Sequence, residues 1–207
     1  IRIGFGRVAN TVRNLREHKD IAWFLLGYYF VNDALVTIFA FTPIYARTTF
    51  SMEFGEIISL LLVVQIVGFP AATIFGLLSD KIGSKKILLT TVALWGLIVF
   101  LLSVATSKTM FFVVALMTAL VIGSSQAVAR SWLSKLVPDE KRAEFFGFNG
   151  FASKIAATTG PVLFGFISVA TGNQRLAMAA LIPFFVIAFV IFLRIKEERV
   201  ELSPTPL

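Results

Sequence analysis

The chain has 207 residues, of which 57% are hydrophobic and only 15% charged, with a net charge of +7. Soluble domains carry about a quarter charged residues, so water is not the main solvent of this chain. It has no Cys and a single His, His18, which excludes disulfide frameworks, thiolate metal sites, Cys nucleophiles and histidine-based triads within a membrane.

The sequence opens on Ile1 and is expected to start inside a longer chain. Residues 1–20 carry five Lys/Arg but no small-residue cleavage site after an apolar core, so they are no signal peptide. Ile1, Phe5, Val8, Val12 and Leu15 recur at helical spacing with Arg and Asn between them. That pattern predicts a basic amphipathic connector helix on the cytoplasmic membrane surface, read most simply as a linker.

Six apolar runs follow, over 21–46, 57–79, 87–106, 110–137, 145–171 and 176–195. Each is near the roughly 20 residues that span about 30 Å of hydrocarbon. The first contains Asn32 and Asp33. Asp33 stands about 12 residues in, roughly 18 Å along the axis and so near the midplane. A carboxylate there costs about 2.5–3.5 kcal/mol on insertion scales, so it must face protein or water. It is either a proton or substrate site, or a structural partner of Asn32, Tyr29 or Lys154.

The second run carries Gln65 and Pro70. It leads into a short loop, Gly76-Leu-Leu-Ser-Asp80-Lys81-Ile-Gly83-Ser-Lys85-Lys86. There Gly76 permits close approach of another helix, and Gly83 supports a tight turn. Asp80 can cap a helix or pair with a cation, and Lys85 and Lys86 are placed to anchor the loop to an anionic leaflet. The third run has no charge. The fourth places Gln126 and Arg130 four residues apart, on one face. Arg130 is expected near the cytoplasmic end, within reach of Asp80, either as a gate latch or as a permanent ion pair.

The fifth run carries Asn149, Lys154, Gly160 and Pro161. Lys154 shares a face with Gly147, Gly150, Thr158 and Pro161, and either pairs with Asp33, binds an anionic group or snorkels to the surface. Asn149 and Gln65 can line a cavity or join helices. The sixth run is uncharged, and residues 197–207 read as a disordered cytoplasmic tail behind a transmembrane domain at 21–196.

Fourteen of the 19 Lys/Arg lie on the side of residues 1–20, the second-to-third and fourth-to-fifth loops and the C-terminus. Only Arg47, Lys108 and Arg175 lie on the other side. The positive-inside rule then places both termini in the cytoplasm. Dispersal of the charges over separate loops argues against a nucleic-acid footprint. Polarity reads polar, polar, apolar, twice over. Three spans is an odd number, so the two triplets have opposite topology, the inverted-repeat signature of secondary transporters. Pro70 and Pro161 sit in the middle span of each triplet, as hinges or as static kinks. Spans three and six, without charge, are expected to face lipid.

The loop resembles the cytoplasmic signature of the major facilitator superfamily, G-x-L-[SA]-D-[RK]-x-G-[RK]-[RK]. Gly76, Leu78, Ser79, Asp80, Lys81, Gly83, Lys85 and Lys86 fit, while Ser84 replaces the first basic position on strict spacing. The remainder resembles one branch of it, the vacuole-effluxer-like transporters related to autophagy-linked amino-acid effluxers. The matching residues are Tyr28-Tyr-Phe-Val-Asn32-Asp33, Gln65-Ile-Val-Gly-Phe-Pro70-Ala and Gly123-Ser-Ser-Gln126-Ala-Val-Ala-Arg130-Ser. Pro138, Glu144-Phe-Phe-Gly147-Phe, Lys154 and Gly160-Pro161 complete them. The resemblance covers nearly the whole chain. It implies an all-α membrane protein, the C-terminal six-helix half of a twelve-helix alternating-access transporter, with a gating role for Asp80. It also implies efflux of a small solute such as an amino acid.

The expected partners are the bilayer, a small-molecule substrate and either the missing N-terminal half or a second copy, with no nucleic acid. The expected location is the plasma (inner) membrane. No metal, phosphate-cradle or nucleophile constellation is legible, so neither an enzyme nor a cofactor is expected. A non-transporting membrane protein (receptor, scaffold or lipid-handling) explains the hydropathy equally well, but not the midspan Asp33, Lys154 and the loop signature together.

Overall fold

The computed structural model describes residues 18–195. The expected connector helix up to residue 17 and the expected tail lie outside them. Within that range the chain is helical: α1 (Lys19–Phe50), α2 (Phe54–Ile82), α3 (Ser84–Val104) and α4 (Lys108–Leu136), then, after a 3-10 turn at Asp139–Lys141, α5 (Arg142–Ala156), α6 (Thr159–Thr171), α7 (Gln174–Ala179) and α8 (Ile182–Arg194). They make six spans long and apolar enough to cross a membrane, the fifth being α5 with α6 and the sixth α7 with α8.

Local chemistry sets the boundaries. Glu53 and Glu56 form a reciprocal capping box at the start of α2. The Ser107 hydroxyl accepts from the Met110 N–H at the start of α4, and the Asn173 side chain caps α7 by accepting from the Arg175 N–H. Gly83 turns the chain between α2 and α3 at φ +108°, a conformation that a side chain would strain.

The prolines behave differently from one another. Pro70 was expected to interrupt the second span, yet α2 runs through it unbroken, as α1 does through Pro43. The fifth and sixth spans do break, at 157–158 and 180–181. Pro161 and Pro183 each lack the N–H that would reach back to Ala157 and Ala179, and the ring crowds that carbonyl.

The spans pack as two interlocked triplets. The second lies mainly on the fourth, and the fifth lies on the first. The third packs on the fourth and the sixth on the first, and the third and sixth pack on each other. Exchanging spans one to three with four to six leaves this pattern unchanged, the mark of the inverted repeat. The core lies along those seams. Trp95 stacks on Phe185 at 6.2 Å and donates to the Ser125 hydroxyl at 3.3 Å. Phe24, Trp132 and Phe192 form an aromatic cluster beside it.

Spans three and six are therefore not simply lipid-facing. One face of each is fully buried through Trp95, Val99, Phe185 and Phe192, while Leu97, Phe100, Val186 and Leu193 are exposed. Absence of charge suits a protein core and a lipid tail equally. The spans with the largest open apolar faces are the second and fifth, where Phe69 is 79% and Val169 87% exposed.

The loop ends sort into two sets. At one end Lys85 donates to the Ile195 carbonyl at 2.6 Å and the His18 ring meets Phe145. At the other Lys108 pairs with Glu56 at 2.6 Å.

Candidate functional site

Asp33 lies 14 residues into α1, about 21 Å from one end of the helix and about 26 Å from the other at 1.5 Å per residue. It has no solvent-exposed surface. Its Oδ2 accepts the Gly160 N–H at 2.8 Å, while Oδ1 has no hydrogen-bond partner among the described residues. Gly160 is the second residue of α6, whose first N–H groups have no partner within their own helix. Asp33 thus caps, from another span, the half-helix that Pro161 creates. A negative charge is favoured at that end of a helix dipole.

The neighbours of Asp33 grip the same break. The Asn32 amide donates to the Ser153 carbonyl at 3.0 Å, and the Tyr29 hydroxyl lies 2.9 Å from that of Thr159. The Thr37 hydroxyl donates to the Asp33 carbonyl at 2.7 Å. A Cβ on Gly160 would collide with that Thr37 hydroxyl and stand 3.1 Å from Oδ1. Only glycine lets the two spans meet this closely, which gives position 160 its structural reason.

Gln65 and Gln126 are brought together. Both line a cavity of about 550 Å³ between the first, second and fourth spans. Its walls are apolar (Ile38, Leu60, Val64, Ile122), with the hydroxyls of Thr42 and Thr118 among them. The Thr42 hydroxyl is buried with no partner among the described residues. Gly123 lies on the same seam, where a Cβ would come within 2.7 Å of Ala72.

Other expected contacts are absent. Lys154 is exposed on α5 and forms no ion pair with Asp33, whose partner is instead a backbone N–H two residues past the break. The face bearing Gly147 and Gly150 opens on empty space, as does Gly76. Asn149 is half-buried on α5. Asp80 is exposed and pairs with neither Arg130 nor another cation among the described residues. Arg130 is exposed on α4.

The loop is held by contacts that the signature did not foretell, although it named Ser79, Ser84 and Lys85. Ser84 is buried, accepts from Lys135 at 2.9 Å, and accepts from the Ser79 hydroxyl at 3.1 Å. The departure from the signature is therefore a buried hydrogen-bond junction of the loop. Lys85 caps the last carbonyls of α8, Leu193 at 3.2 Å and Ile195 at 2.6 Å, in place of an anionic leaflet. Lys86 is exposed. Nothing in the spacing of Ser79, Ser84 and Lys135 marks them as partners. The one available signal was a lysine next to the end of a span whose partner loop breaks the basic pattern.

The family model described as "Vacuole effluxer Atg22 like" matches residues 1–202. The chain is 29% identical over 194 residues to an "Uncharacterized MFS-type transporter YxiO" of Bacillus subtilis, covering 94% of this chain and 45% of that protein. It is 27% identical over 207 residues to "Autophagy-related protein 22" of Kluyveromyces lactis, covering 95% of this chain and 42% of that protein. A protein of the same name in Yarrowia lipolytica is 27% identical over 205 residues, with 95% and 35% covered. The chain spans less than half the length of these curated relatives.

Proposed function

The chain belongs to the vacuole effluxer Atg22-like family of membrane transporters, and on that premise we propose that it forms the C-terminal half of a secondary active transporter that exports a small solute by alternating access. The observation that carries this reading is Asp33. An acid buried at mid-length in a span, held by the open end of a broken helix, is a costly arrangement that a purely structural bundle has no need of. It matches the architecture of transport sites, where half-helix ends meet charged groups near the midplane.

In this reading Asp33 is the proton-coupling or substrate group, and the break at 157–160, with Gly160 and Pro161, is the hinge. Asn32 reports Asp33 to that hinge. Gln65 and Gln126 line the solute path, and Asn149 and Lys154 face it from the fifth span. The segment from Gly76 to Lys86, with Asp80 in the last turn of α2, forms the cytoplasmic gate, and Arg130 reaches that gate in another state of the cycle. Both termini lie in the cytoplasm, in a plasma (inner) membrane. The partner that completes the path is the other six-span half or a second copy. An amino acid is the solute that the family resemblance implies.

The test is Asp33→Asn in the full-length protein reconstituted in proteoliposomes. Expression and folding are expected to persist, because the amide keeps an acceptor for the Gly160 N–H, while pH-driven flux is lost or uncoupled. Flux that keeps its normal pH dependence would sink the assignment. Absence of flux in the wild type over a broad solute screen would favour the non-transporting reading instead.

A further inference from the structure

The inverted repeat sets the signature loop at one end of the molecule and an equivalent corner at the other. That equivalent is the turn between the fifth and sixth spans. Among the described residues only two glycines have positive φ, Gly83 at +108° and Gly172 at +63°. Each stands between the middle and last spans of its triplet. The residues after them are pinned by the far end of the first span of the other triplet. Lys135, beside the end of α4, donates to Ser84 at 2.9 Å. The Thr48 hydroxyl, near the end of α1, lies 2.6 Å from the Gln174 Oε1 and shares its proton between that oxygen and the Ile44 carbonyl of its own helix at 2.9 Å. A cation also braces each corner, Lys85 on the carbonyls ending α8 and Arg175 over the Phe50 ring at 5.8 Å.

We infer that the Gly172–Gln174 corner, latched by Thr48, is the non-cytoplasmic counterpart of the signature loop. The inference rests on the alternating-access reading above and adds a second gate to it. The two latches join equivalent span ends at opposite faces, so release of either frees its own end of the bundle. Their chemistry differs. The cytoplasmic latch carries a formal charge and the outer one is neutral, and hydrogen bonds to charged groups are the stronger. The cytoplasmic end is thus the more firmly held of the two.

The chain has no Cys, which suits a direct test. In full-length protein freed of any other cysteine, Thr118→Cys places a thiol in the cavity between the first, second and fourth spans, to be labelled by a membrane-impermeant maleimide from either face. Thr48→Val is expected to raise the ratio of outer to cytoplasmic labelling by about fivefold, the shift in a two-state equilibrium on losing one neutral hydrogen bond. Ser84→Ala is expected to move the ratio the opposite way and further, and Thr48→Ser to restore it. Wild-type protein labelled from both faces, with both variants leaving the ratio unchanged or moving it in one direction, overturns the paired latch while the transport reading stands. Labelling of the wild type from one face alone overturns alternating access itself.

Discussion

At the residue scale the arrangement turns on one contact. Asp33 is fully buried and, among the described residues, has a single hydrogen bond to its carboxylate, from the Gly160 N–H. The cost of holding that acid in a bundle is offset only while the helix end stays beside it. Gly160 makes the approach possible, because any side chain there meets the Thr37 hydroxyl. Gly160→Ala is therefore expected to destabilise the folded protein by about 1–3 kcal/mol, the usual cost of overpacking. Gly150→Ala, at a position open to space, is expected to be neutral. Thermal unfolding of both variants in detergent distinguishes them, and equal melting temperatures would remove the close-approach argument. The carboxylate was legible in the sequence because a charge at mid-span is conspicuous. Its partner was not, since a backbone N–H freed by a helix break leaves no mark in side-chain composition. The candidate partners, Asn32, Tyr29 and Lys154, were all side chains, and the choice among them missed the backbone. The pairing of Ser84 with Lys135 escaped for a related reason: the sequence marked Ser84 only as a departure from the signature, and a serine carries little information until the fold sets a cation beside it.

At the scale of the elements, the two middle spans show how one residue type gives two outcomes. α2 is continuous through Pro70, whereas the fifth span separates into α5 and α6 just before Pro161. A proline removes one hydrogen bond in both places. In the fifth span the glycine before it and the acid from α1 hold the freed end open, so the break is supported from outside. The second span is instead packed tightly along Gly68 and Ala72 against Ala119 and Gly123, which favours a regular helix. Hydropathy alone located both spans and both prolines, and it could not rank them, because the deciding contacts come from other helices. Pro161→Ala is expected to extend helical hydrogen bonding across 157–158, raise the melting temperature and slow solute flux. Pro70→Ala is expected to change flux little. Flux measured with both proteins in proteoliposomes checks the pair, and a wild-type rate for Pro161→Ala would show that the break is no hinge.

At the scale of the whole molecule, the two triplets bury the seams between spans three, four, six and one but leave the second and fifth spans with broad apolar faces. Phe54, Ile66 and Phe69 on one, and Val162, Phe166 and Val169 on the other, are all more than half exposed. Lipid tails can cover such faces. The open cavity between the first, second and fourth spans cannot be closed by lipid without stranding Gln65 and Gln126 against hydrocarbon. A protein surface with its own polar groups is the better cover. The relatives are more than twice as long as this chain, so length for such a surface exists in them. Residues 1–207 produced alone are expected to self-associate in detergent, and to form a monodisperse one-to-one complex when produced together with the other six-span half. Light scattering after size exclusion, read alongside maleimide labelling of Thr118→Cys, decides the matter. Slower labelling of that thiol in the two-half complex than in the lone half places the partner over the cavity. A monodisperse monomer whose thiol is equally protected with and without the other half would mean that the six spans close their own path, and that the polar groups lining it serve the fold.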